Sequence, residues 1–119
     1  MKKFEFKTRT MDFDIDGNLY SINSRMQFFE NLKQAGQELI EYSEKLGSGD
    51  GDPQTVMKEA TDFMLKKVDD LLGEGSAAKI FAKREPDFYD VCDIFNYIRA
   101  VAEENQKQTL SDYQRSDGK

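Results

Sequence analysis

The spacing of apolar residues changes along this chain, and each change marks a different element. Met11, Phe13 and Ile15 alternate with Asp12 and Asp14, the period of a half-buried strand. Asp16-Gly17 follows, a pair suited to a two-residue turn with positive φ angles. With that turn Ile15 opposes Asn18, Phe13 opposes Tyr20 and Met11 opposes Ile22, so the apolar pairs share one face. The pattern therefore predicts a β-hairpin. Residues 4–9 (FEFKTR) also alternate aromatic and polar, which suggests a further short strand.

From residue 24 the period lengthens. Leu32, Leu39 and Leu46 recur along one line, with Phe28, Phe29, Gly36, Ile40 and Ser43 beside it, so a first amphipathic helix is expected over 24–46. Gly36 within it costs about 1 kcal/mol relative to Ala, unless it serves close approach by another helix. Residues 47–51 (GSGDG) read as a flexible linker. Asp52-Pro53 opens a second helix, with Asp as cap and Pro in the first turn. Its stripe is Val56, Ala60, Phe63 or Met64, Val68 and Leu71 or Leu72, and Gly73 is the expected C-cap. Ser76 is placed to cap a short helical turn over 77–81. Lys83-Arg84-Glu85-Pro86 breaks the chain again. A third long helix starts near Asp87, its stripe formed by Phe88, Val91, Phe95, Ile98 and Ala102 and widened by Ile94 and Val101. Residues 107–119 turn polar and read as a disordered tail. The expected architecture is mainly α with a small N-terminal β-hairpin (α+β): three long amphipathic helices and one short helix in a single domain over 1–106.

Composition narrows the function. The chain has 119 residues, within the range of one domain. Its net charge is −6, but Lys2, Lys3, Lys7 and Arg9 against Glu5 give the first nine residues +3, leaving −9 for the rest. An acidic body repels phosphate backbones, so no nucleic-acid partner is expected. No apolar run nears the roughly 18 residues of a membrane span. The start MKKFEFKTRT lacks the apolar core of a signal peptide, so a cytoplasmic location and no membrane partner are expected.

Histidine is absent, which excludes Ser-His and Cys-His nucleophilic arrangements and the commonest metal ligand. The lone Cys92 lies within the third helix and reads as a small hydrophobe. Asp12, Asp14, Asp16 and Gly17 resemble the start of an EF-hand calcium loop. Position twelve is Asn23, however, where the loop needs a bidentate Glu, and the flanking apolar residues alternate as a strand. Residues 47–51 lack the Lys-Ser/Thr ending of a phosphate loop, and Leu72-Gly73-Glu74-Gly75 puts an acid where phosphate would sit. Asp69-Asp70 and Glu103-Glu104 are adjacent and so point about 100° apart on a helix, as solvated residues do. No catalytic constellation, metal site or cofactor is expected, and the chain does not read as an enzyme.

The apolar stripes suffice for one core. Met26, Phe28, Phe29, Tyr42, Met57, Leu65, Phe88, Tyr89, Tyr97 and Tyr113 are many for so polar a chain, and those outside the core would form a binding surface. Residues 69–104 carry the most specific order of parts: Leu72-Gly73-Glu74-Gly75, then Ala78-Lys79-Ile80-Phe81, a basic loop, and the long helix. That order resembles the small tail assembly chaperones of long-tailed bacteriophages and prophages.

The resemblance implies a protein that binds the tape measure protein, a long helical chain with apolar faces. It implies retention of that partner in soluble form in the host cytoplasm during tail assembly, absence from the mature virion, and self-association of several copies on one partner. Relatives of this kind also occur as a longer frameshifted product, for which the tail at 107–119 would be the starting point. The partner surface expected from the resemblance is Ile80, Phe81, Phe88, Val91, Phe95 and Ile98, with buried core as the alternative for those side chains. The other functions open to the sequence are a small interaction adaptor or regulator, a structural tail or connector protein, and, remotely, a calcium binder.

Overall fold

A computed structural model describes residues 1–49 and 51–117, with side chains as far as Gln114. Asp50 of the expected linker and residues 118–119 of the expected tail lie outside the described residues. The elements, in order, are β1 (Thr10–Ile15), β2 (Asn18–Asn23), α1 (Met26–Ser48), α2 (Pro53–Leu72), α3 (Ser76–Ile80) and α4 (Phe88–Asp117). The chain is thus mainly helical with an N-terminal hairpin, three long helices and one short one.

The hairpin has the register that its alternation dictates, with Ile15 opposite Asn18, Phe13 opposite Tyr20 and Met11 opposite Ile22. Asp16 and Gly17 both take positive φ, 52° and 85°, matching the turn to the right-handed twist of the strands. The Gly17 N–H donates to Asp14 Oδ1 at 2.9 Å, and Asn18 Nδ2 donates to the Ile15 carbonyl at 3.1 Å. Met11, Phe13 and Ile15 are buried, while Asp12, Asp14 and Asp16 face outward.

The third strand expected at 4–9 does not form. Residues 1–9 lie outside every strand and helix, and all are exposed. The cause is local: β2 ends at Asn23, opposite Thr10, and the Ser24 N–H donates to the Arg9 carbonyl at 2.8 Å before the chain turns into α1. Upstream of Arg9, no β2 remains to pair with.

α1 starts and ends about two residues later than its stripe suggests, running through Gly47 and Ser48 to a left-handed Gly49. α2 starts as expected: Asp52 Oδ2 accepts from the Thr55 N–H at 3.2 Å and from Thr55 Oγ1 at 2.8 Å, with Pro53 as the first helical residue. It ends at Gly73, whose N–H donates to the Asp69 carbonyl. The expected Ser76 cap is replaced. Ser76 is itself helical and buried, and Asp69 Oδ1 accepts from the Ala77 N–H at 2.8 Å. A carboxylate on the preceding helix thus stabilises α3's N-terminal end.

The expected polar tail is also corrected, because α4 continues to Asp117. No Gly or Pro interrupts residues 88–117, and the distal turns have contacts of their own. Ser24 Oγ donates to Asn105 Oδ1 at 3.0 Å, and Arg9 both hydrogen-bonds the Tyr113 hydroxyl and lies over its ring. The root of the hairpin therefore props the end of α4.

The core lies between the hairpin's inner face and the inner faces of α1, α2 and α4. Met11, Phe13, Ala35, Met64, Val68, Val91, Ile98 and Ala102 are at most 1% exposed. The molecule is nonetheless long, 66 × 31 × 20 Å. Its radius of gyration is 17.6 Å, against about 13.5 Å for a compact chain of this length. Long helices in so small a core leave flanks uncovered.

Candidate functional site

An uncovered flank lies between α1 and α4. Both helices carry apolar stripes wider than their mutual contact, so the stripes part and leave a groove of about 560 Å³. α1 contributes Phe29, Leu32, Gly36, Leu39 and Ile40, and α4 contributes Cys92, Phe95 and Ala102. Leu32, Phe95 and Ala102 belong to the core and form the groove's floor. Ile40 is 59% exposed, a large apolar side chain in solvent on the rim. Lys33, Arg99 and Glu103 supply charges at the same rim.

Gly36 is the most telling lining residue. A Cβ built there meets nothing within 4 Å. No neighbour among the described residues therefore requires a glycine, although its helix-propensity cost of about 1 kcal/mol remains. A bare backbone beside an apolar groove permits close approach by something outside this chain.

Cys92 lines the groove half-buried. Burial pushes its thiol above the usual range, and Asp93 and Asp87 push it further in the same direction. It stays a neutral thiol near pH 7, suited to packing and poor as a nucleophile. Outside the groove, Arg84 holds Asp90 through two hydrogen bonds of 2.8 Å, and that bonding raises the Arg84 pKa. This pair fastens the loop before α4.

The six residues expected to bind a partner fall mostly inside the protein. Ile80, Phe88, Val91, Phe95 and Ile98 are buried, and Phe81 is half-buried against the core. Of the six, Phe95 lines the groove, from its floor. The off-stripe aromatics divide. Phe28 is buried, Phe29 reaches the groove, and Tyr89 and Tyr113 are exposed. Tyr97 accepts a 3.0 Å hydrogen bond from the Asp14 N–H and so caps the outer side of β1. The groove residues Lys33, Cys92 and Arg99 carry no signal in the sequence as a site. Gly36 and Ile40, beside the main stripe, do.

Asp12, Asp14 and Asp16 project from a regular hairpin rather than closing a loop. No group of three His, Cys, Asp or Glu among the described residues is arranged to hold a metal ion. No helix among the described residues is long and apolar enough to cross a membrane.

The profile of a family of unknown function, DUF6673, matches residues 11–117. The chain belongs to that family. The match takes in the hairpin and all four helices and leaves out the N-terminal arm. No curated protein and no solved structure matches the chain.

Proposed function

We propose that this member of DUF6673 is a non-enzymatic tail assembly chaperone, which binds an exposed apolar stripe of a long helical partner of the tape measure type. The observation that carries the reading is the α1–α4 groove, open and apolar, with Gly36 at its wall and Ile40 exposed on its rim. The order of parts over residues 69–104 supports the same reading by resemblance. A helix is about 10–12 Å across, and a groove between two helices is the usual seat for one. The partner's stripe would lie against Leu39, Ile40 and Phe95, with acidic residues beside Lys33 and Arg99.

The mechanism needs no chemistry. Covering an apolar stripe removes it from water at about 25 cal/mol per Å², and the same contact prevents the partner from aggregating. The chaperone's acidic body, −9 beyond residue 9, keeps the complex in solution. In this reading the complex forms in the host cytoplasm, holds several copies of the chain, and dissolves as the tail is built, leaving none in the finished particle.

The test is co-expression with a long helical protein of the tape measure type, followed by affinity pull-down and size exclusion with light scattering. A soluble complex with several copies of this chain, from a partner insoluble alone, supports the chaperone. A partner that stays insoluble beside a free chain removes it and leaves an adaptor. Presence of the chain in purified particles makes it a structural component instead.

A further inference from the structure

The hairpin leaves one sheet edge covered and the other open. On the β1 side, the outward-pointing Asp14 N–H is bonded to Tyr97 of α4. On the β2 side, Leu19, Ser21 and Asn23 are exposed, and the sheet ends there. Ile15 pairs with Asn18 across the turn, so Leu19 and Ser21 direct their backbone N–H and C=O groups outward. Such an edge is a template for one more strand. The same chain carries a strand sequence without a partner: residues 4–9, with Phe4 77% and Phe6 89% exposed.

We propose that the N-terminal arm of one copy adds as a strand to the β2 edge of a second copy. The lengths suffice: in the antiparallel register that sets Lys7 beside Ser21 and Phe6 beside Ile22, residues 4–8 lie along residues 20–24, about 17 Å of edge. The faces agree as well. Along an added strand Phe4 and Phe6 share one side, and Lys3, Glu5 and Lys7 share the other. When the Phe side adjoins half-buried Tyr20 and Ile22, the Lys side adjoins the outward face bearing Asp12 and Asp14.

Charge selects the occupant. The arm is +3 and the remainder −9, so the arm is attracted to another copy's body. Lys3 is already paired with Glu5 at 3.1 Å, whereas Lys7 and Asp12 have no ion pair among the described residues. Ser21, opposite Asp12, is small enough for a lysine to reach across it. The arm would then lie about 10 Å from β1, two strand spacings, within reach of an extended Lys7 and Asp12 together. Each copy offers one arm and one edge, so arm donation links copies head to tail or, where two copies exchange arms, closes them as a pair. This inference stands without the chaperone reading, since it concerns copies of this chain alone.

The experiment is sedimentation of the full chain over a range of concentrations and salt. The wild type should show a weight-average mass rising above its 13.7 kDa with concentration and falling with salt. K7E and D12K should each sediment as monomers with unchanged circular dichroism. An equimolar mixture of the two should recover assembly, because K7E arms meet D12K edges and the wild-type arm of D12K meets the intact edge of K7E. F4S/F6S should lose assembly and gain nothing on mixing. A wild type that remains 13.7 kDa throughout overturns the proposal. So does assembly indifferent to K7E and D12K, or a mixture of folded variants that stays monomeric.

Discussion

Replacing Gly36 with alanine separates the internal needs of the fold from those of a partner. The substitution removes a helix-interior glycine from α1, worth about 1 kcal/mol of stability. Beyond α1's own local backbone, nothing among the described residues lies within 4 Å of the new Cβ, so no steric cost offsets that gain. For a domain of this size the gain raises Tm by about 4 °C. Thermal unfolding followed by circular dichroism reads it directly. The groove predicts the opposite sign in partner binding. A methyl group on a surface that a helix approaches closely costs about 1–3 kcal/mol of packing strain, roughly 5- to 150-fold in Kd. Gly36→Leu, which projects further into the groove, should weaken binding more while leaving the helix intact. The informative result is the pair: a more stable chain that binds less well. A lower Tm for Gly36→Ala would show that the glycine serves internal packing after all. A higher Tm with unchanged partner affinity would remove the groove from the binding surface.

Three further expectations follow from single contacts. Glu38 Oε2 is buried with no hydrogen bond, and Lys67 Nζ at 3.4 Å is its counter-charge; Lys67→Met should cost about 1–2 kcal/mol in urea unfolding, and adding Glu38→Leu should restore most of it. Asp52→Ala removes the cap of α2 and should lower stability by about 1 kcal/mol by the same measurement, whereas Asp52→Asn should be close to neutral. Cys92, its thiol pushed up by burial, should react slowly with iodoacetamide at pH 7 and faster as pH rises beyond the ordinary thiol range; a bound partner should slow that reaction further, and an unchanged rate in the complex would place the partner elsewhere.

Elements whose signals are local could be read from the sequence. The hairpin's register follows from its period of two and Asp16-Gly17, both within a dozen residues. The start of α2 follows from Asp52-Pro53. The distal half of α4 could not be read this way. A helix without an apolar stripe looks like a tail, and the contacts that prop it come from Arg9 and Ser24, far away in sequence. Residues 4–9 show the converse: the alternation of a strand is present, but a strand also needs an edge, and β2 ends opposite Thr10. The groove was the least legible feature. An apolar stripe records that residues avoid water, not which neighbour covers them. Val91 and Ile98 are covered by this chain, whereas Ile40 on an equally periodic helix is left open. That difference depends on how closely α1 and α4 approach, which no spacing encodes.

The two proposed surfaces rest on different forces, and salt can separate them. The arm contact depends on Lys7 and Asp12 at an exposed sheet edge, where a Debye length of about 8 Å at physiological ionic strength already screens much of the attraction. The groove contact depends chiefly on burying Ile40, Leu39 and Phe95 against an apolar stripe, which salt weakens far less than an exposed ion pair, the rim charges Lys33 and Arg99 being the smaller part. A partner with several stripes, coated by copies linked through their arms, gains avidity because each bound copy holds the next near its own site. Raising salt should therefore release copies from one another before it releases them from the partner. The affinity of the coat should then fall toward that of a single copy, while stoichiometry at saturation stays unchanged. Titrating partner with wild type and with K7E across a salt series measures this. The wild-type curves should steepen at low salt and merge with those of K7E at high salt. Curves that stay apart at high salt would mean that the arm itself touches the partner, and the separation of the two surfaces would be wrong.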